Sequence, residues 1–174
     1  MSDKSVSYWS DTRQGLRAVE LRAAGFEPSE AVNTNAVVTI ANAYTNAHRC
    51  NNRVRRIADL LVDAVASKGG QGLLVGAPAV SDALTQGTVN AGYSLASRDL
   101  MADCMETGHY AHHGNGMIVV SGCDKTGAAA LMPLARTNAF GLVVYPGTSS
   151  PGRVDFEPWA SKGNNLTIMD YMEG

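Results

Sequence analysis

Four short apolar runs, separated by segments with helical spacing, constrain this chain more than any other feature. The runs are AVVTIANA at 36–43, GLLVGAP at 72–78, GMIVVSG at 116–122 and FGLVVYPG at 140–147. Each has strand length; the first is continuously apolar, the pattern of a strand buried on both faces, the second reads as another buried strand, and the other two as a third and a fourth strand. Between the first two, residues 51–67 place Val54, Ile57, Leu61 and Val65 at helical spacing, and Lys68-Gly69-Gly70 supplies the stop. Between the second and third, Ser97 is a candidate cap for a helix over about 98–108, with Leu100, Met101 and Met105 apolar. The Ala/Leu-rich stretch 126–136 predicts a helix before the fourth run. Residues 13–24 predict another, with Leu16, Val19 and Ala23 on one side and Gly25 as its stop. Residues 79–94 and 148–165 read as loops, and 166–174 as the start of a last helix. Strands alternating with helices predict an α/β fold, a three-layer α/β/α arrangement around a mainly parallel sheet. At 174 residues, with no repeat or low-complexity linker, the expectation is a single domain over 1–174.

Composition narrows the function. The net charge is −2, only 17% of residues are charged, and no basic block occurs, so there is no electrostatic footprint for nucleic acid. No apolar run approaches the roughly 18 residues of a membrane span. The first residues, MSDKSVSYWSD, lack the apolar core of a signal peptide. Three cysteines, an odd number, do not suggest a disulfide framework. These features together predict a cytoplasmic protein.

In open α/β sheets, ligands collect beyond the carboxyl ends of the strands. Three segments belong there: 42–52, 81–93 and 121–126. The last, Ser121-Gly-Cys-Asp-Lys-Thr126, puts a thiol, a carboxylate and an amine side by side at a helix start. Sulfur suits soft metals and iron–sulfur clusters, and carboxylate oxygen suits magnesium or calcium, so Cys123 and Asp124 can serve two adjoining sites. The plainer reading makes Cys123 a core thiol, Asp124 a helix cap and Lys125 a solvated charge. Cys50, in Asn46-Ala-His-Arg-Cys-Asn-Asn52, meets Cys123 if the first and third strands are neighbours. Asp82 is either a turn former or a partner for Asp124 around a hard cation. Cys104 reads as a core thiol. His48 has a surface or core hydrogen-bonding role as the alternative to ligation; the spacing of His109, His112 and His113 invites a metal reading, and the plainer one is that they suit the dipole at a helix end.

Tyr93-Ser-Leu-Ala-Ser-Arg-Asp-Leu-Met-Ala-Asp103, Cys123-Asp-Lys and Leu131-Met132 stand in order along the chain, with Arg13-Gln-Gly-Leu-Arg-Ala18, Ile40-Ala-Asn-Ala-Tyr44, Cys50-Asn51, Asp82 and Gln86-Gly87. These motifs resemble the dihydroxy-acid and sugar-acid dehydratase family, that of dihydroxy-acid dehydratase and 6-phosphogluconate dehydratase. Gly147, Pro151-Gly-Arg153 and Leu166-Thr-Ile-Met-Asp170 extend the likeness along the whole chain. The resemblance implies the first part of the family's N-terminal domain. It also implies an iron–sulfur cluster held by three cysteines, two of them matching Cys50 and Cys123. Magnesium would be bound by residues matching Asp82 and Asp124, with Lys125 carbamylated as a further oxygen ligand, an anion that suits a divalent cation. The implied reaction is loss of water from a 2,3-dihydroxy acid or sugar acid, giving a 2-oxo acid.

Family enzymes are several times longer. The third cluster cysteine would follow shortly after residue 174, and a β-rich C-terminal domain would carry the serine base and another metal carboxylate. Cys104 lies within the Tyr-Ser-Leu segment and does not replace that cysteine, so the cluster ligand set is incomplete in this chain. Gly127-Ala128-Ala129 stands where the family has Pro-Gly after Cys-Asp-Lys, and Asp82-Ala83 stands for Asp-Gly. The expectation is a subunit of a split dehydratase, inactive alone and completed by a second polypeptide or by self-association, acting on a small hydroxy acid. The alternative is an inactive dehydratase-like domain used for binding, scaffolding or assembly, or a truncated homologue.

Overall fold

The computed structural model describes residues 11–26 and 36–147, with the side chains of 11–14 left aside. The motif residues Pro151-Gly-Arg153 and Leu166-Thr-Ile-Met-Asp170, the loop expected over 148–165 and the helix expected over 166–174 lie outside the described residues.

Helix α1 (Asp11–Ala23) comes first and ends at Gly25, whose φ of +96° is readily adopted only by glycine. Strand β1 (Val37–Asn42), helix α2 (Val54–Ser67) and strand β2 (Gln71–Gly76) form the first crossover unit. A short helix α3 (Asp82–Thr85) and the long helix α4 (Gly92–Ala111) lead to β3 (Gly116–Val120). Helix α5 (Asp124–Thr137) then connects to β4 (Phe140–Val144). The sheet order is β2-β1-β3-β4, and every pairing is parallel.

The period-two geometry of the central strands divides the core between two faces. Ile40 and Val120 point to one side and pack with Val54 and Ala58 of α2. Ala41, Met117 and Val119 point to the other, against Met101 and Met105 of α4 and Ala129 and Ala130 of α5. The result is the expected three layers, with α2 on one face and α4 and α5 on the other. Small residues bring α4 close to the sheet: a Cβ at Gly108 would overlap the Val75 side chain.

Four expectations need correction. The run at 72–78, expected as a buried strand, forms an edge strand whose Leu74 is 38% exposed. The run at 140–147 forms the other edge, and its Phe140 is 90% exposed. An apolar run reports strand propensity but not how many neighbours the strand has. The helix expected from residue 98 begins at Gly92, and the Ser97 hydroxyl donates to the Ser94 carbonyl instead of capping. The loop over 79–94 contains α3. Leu16 and Val19 of α1, expected on one apolar side, are exposed.

Candidate functional site

Parallel pairing places the carboxyl ends of β1, β2 and β3 at one edge of the sheet, so the segments after Asn42, Gly76 and Val120 converge there. The third segment opens α5, whose N-cap is Cys123 and whose first residue is Asp124. The Asp124 Oδ1 accepts from the Lys125 backbone N–H at 2.9 Å, so its carboxylate sits in the positive field of the helix start.

Lys125 is 7% exposed, which rules out the solvated role. Its Nζ donates to the Val80 carbonyl at 2.7 Å, to Asp82 Oδ1 at 2.6 Å and to Ser94 Oγ at 2.9 Å. Those three acceptors match the three donors of an ammonium, the condition for burying one. The Ser94 hydroxyl also donates to Asp82 Oδ1. Asp82 is therefore fixed by two side chains, and its carboxyl is held below the usual range, first by the Lys125 bond and then by the Ser94 bond. These contacts join α3, α4 and α5 although their residues are far apart in sequence.

The two thiols are associated through their neighbours. Cys123 is buried and Cys50 half-buried. Asn51, next to Cys50, packs its amide against Gly122, next to Cys123, and a Cβ at Gly122 would overlap that amide. The Gly122 N–H donates to Thr126 Oγ1 at 2.6 Å, and that hydroxyl lies 2.9 Å from the Cys123 carbonyl. His48 accepts the Cys50 N–H on Nδ1 at 3.0 Å. Burial is the main cause lowering its pKa. Asp82 and Asp124 oppose that shift and Lys125 and Arg49 add to it, so the imidazole lies within the field of the site.

The donor chemistry fits the groups expected here in part. Two thiols on interlocked loops suit a soft metal or cluster, and two carboxylates suit a hard cation. Among the described residues, no three His, Cys, Asp or Glu side chains converge in a way that could hold a metal ion. The Lys125 ammonium is a donor and must lose its charge before it can ligate. The remaining candidates lie elsewhere. Cys104 packs against the core on α4. His109 is buried at the opposite end of the sheet, its Nδ1 3.0 Å from Thr39 Oγ1. The His112 Nδ1 lies 2.7 Å from the Gly108 carbonyl, and His113 takes a φ of +53° in the turn after α4. Sequence reasoning assigned no role to Ser94 or to Asn51, although both stand inside quoted motifs.

Residues 35–173 match the family described as "Dihydroxy-acid/6-phosphogluconate dehydratase N-terminal". Dihydroxy-acid dehydratase 1 of Cupriavidus pinatubonensis is 39% identical over 137 residues, covering 79% of this chain and 23% of that protein. Dihydroxy-acid dehydratase 3 of Bordetella bronchiseptica is 35% identical over 145 residues, covering 83% and 25%. The dihydroxy-acid dehydratase of Herminiimonas arsenicoxydans is 34% identical over 151 residues, covering 87% and 26%. The chain thus spans about a quarter of the length of the curated relatives it matches.

Proposed function

The chain belongs to the dihydroxy-acid/6-phosphogluconate dehydratase family, and from that premise we propose that it supplies one half of a dehydratase active site. The reaction removes water from a 2,3-dihydroxy acid or sugar acid and leaves a 2-oxo acid, in a cytoplasmic enzyme. The observation that carries this reading is the junction of Asp82, Ser94 and Lys125 beside Asp124 and Cys123, at the carboxyl end of the sheet.

In this reading Cys50 and Cys123 hold an iron–sulfur cluster, and Asp82 and Asp124 hold magnesium. When bound, these groups supply the Lewis acidity that draws off the departing hydroxyl. The chain's own residues prepare the place. Lys125 neutralises Asp82 before any cation arrives, and Ser94 keeps the Asp82 carboxylate in position. For Lys125 to become an oxygen ligand, its amine loses a proton, its lone pair bonds to the carbon of CO₂, and the nitrogen gives up a second proton. The carbamate then carries a negative charge where a positive one stood.

Cys104 packs on the core side of α4, and in this reading a third thiolate and the general base are contributed by the rest of the dehydratase site. We assign them to a second polypeptide. Ala83 and Gly127-Ala128-Ala129 favour the alternative, a domain kept for binding, scaffolding or assembly. The discriminating experiment isolates the tagged chain with whatever it binds in its own cells and measures release of 2-oxo acid from dihydroxy and sugar acids. The proposal expects turnover that Asp124→Ala abolishes while this chain remains folded. Full activity of the assembled Asp124→Ala variant would overturn the site assignment.

A further inference from the structure

Asn51 is 1% exposed, in the turn that carries Cys50, and its backbone N–H donates to the His48 carbonyl at 2.9 Å. Its Nδ2 donates to the Ala43 carbonyl, just past β1, at 2.6 Å. That bond fixes which way round the amide lies. The Oδ1 is then the amide atom nearest to where a Gly122 Cβ would sit, and among the described residues it has no hydrogen-bond partner. Buried polar atoms are rarely left unpaired, because each forfeits its hydration. An amide with half its hydrogen-bonding capacity unused is a poor device for stability alone, and an apolar side chain of similar volume would carry no such cost. Its shape and place are distinctive. As the residue after Cys50 it presses its amide against Gly122, the residue before Cys123, and it is tied to the end of the central strand through Ala43.

We propose that Asn51 is a positioning residue, the wedge that sets the separation of the Cys50 and Cys123 thiols for one shared soft-metal centre. The Cys123 turn cannot move independently, because Thr126 Oγ1 holds the Gly122 N–H and lies beside the Cys123 carbonyl. The Cys50 turn is anchored through the Asn51 bond to Ala43. Gly122 is the complementary half of the device, since any side chain there would displace the amide. This rests on the reading of Cys50 and Cys123 as ligands to a single centre.

The test titrates the reduced chain with cadmium under anaerobic conditions and follows thiolate-to-cadmium charge-transfer absorption. Wild type, Cys50→Ser, Cys123→Ser, Asn51→Ala and Gly122→Ala are compared, with circular dichroism and urea unfolding as measures of fold. A wild-type signal lost in both cysteine variants is expected. Its absence from wild type, or its persistence in either cysteine variant, would overturn the shared-centre reading and the proposal with it. Given that signal, Asn51→Ala and Gly122→Ala are each expected to weaken cadmium binding roughly 10- to 100-fold while staying folded, the usual effect of losing an outer-shell partner. Unchanged affinity in a folded variant would overturn the wedge and leave the shared centre standing. If only one variant folds, its affinity decides. If neither does, Asn51 is a core residue and the proposal fails.

Discussion

Replacing Asp82 by alanine should destabilise this domain through a residue far from it in sequence. The substitution leaves the Lys125 ammonium, whose side chain is 5% exposed, with the Val80 carbonyl and Ser94 Oγ as its remaining acceptors among the described residues. A hydrogen bond to a charged group contributes about 1.5–3 kcal/mol. The Asp82 side chain is 46% exposed, so solvent screens the pair and the low end of that range applies, about 1.5–2 kcal/mol. For a domain of this size that corresponds to a fall in Tm of roughly 3–8 °C. Lys125→Met removes the buried charge itself and frees Asp82 to turn toward water, so it should cost less than leaving the cation unpaired. In that background Asp82→Ala should add little. Differential scanning calorimetry on the four proteins of the cycle provides the readout. A normal Tm for Asp82→Ala would refute the reasoning, as would the same cost with and without Lys125. The pair also predicts an acid limb. The folded pKa of Asp82 lies below its unfolded value, so its stabilisation is complete above the ordinary carboxylate pKa and is lost as pH falls through the folded one.

His109 titrates in the opposite chemical sense but also favours higher pH. Burial lowers its folded pKa beneath the ordinary value near 6.5, so the unfolded chain takes up the proton first and stability declines as pH falls below that value. His109→Gln should flatten the dependence of Tm on pH between about 7.5 and 5.5 relative to wild type; an unchanged slope would assign the effect elsewhere. Ile40→Ala, at a fully buried position of the central strand, should cost about 2–5 kcal/mol in urea unfolding, and a loss below 1 kcal/mol would show that α2 packs loosely on that face.

The layer order was legible because β1 and β3, covered on both faces, carry continuous apolar runs, and because α2 repeats its apolar residues at helical spacing. The edge positions of β2 and β4 were not legible, since the same run serves a central or an outer strand. The early start of α4 was hidden by Gly92 and Ser94, at the end of a stretch rich in Gly, Ser, Thr and Asn. Ser94 bonds to Asp82 and Lys125, contacts made across the fold that no local window contains. Cys123, Asp124 and Lys125 stood out as an unusual cluster of donors after a strand. Their link to Asp82 depends on parallel pairing, which brings together segments 43 residues apart. Asn51 and Gly122 stood inside quoted motifs but had no role of their own. Their importance lies in mutual shape, which residue type alone does not carry.

The central claim is that this chain holds part of a metal-dependent dehydratase site, and anaerobic native mass spectrometry of the tagged chain from its own cells tests it most directly. The account predicts a heteromeric mass that includes iron, sulfide and magnesium together with a second polypeptide. A metal-free monomer or homo-oligomer would contradict it and would favour a family domain retained for binding or assembly.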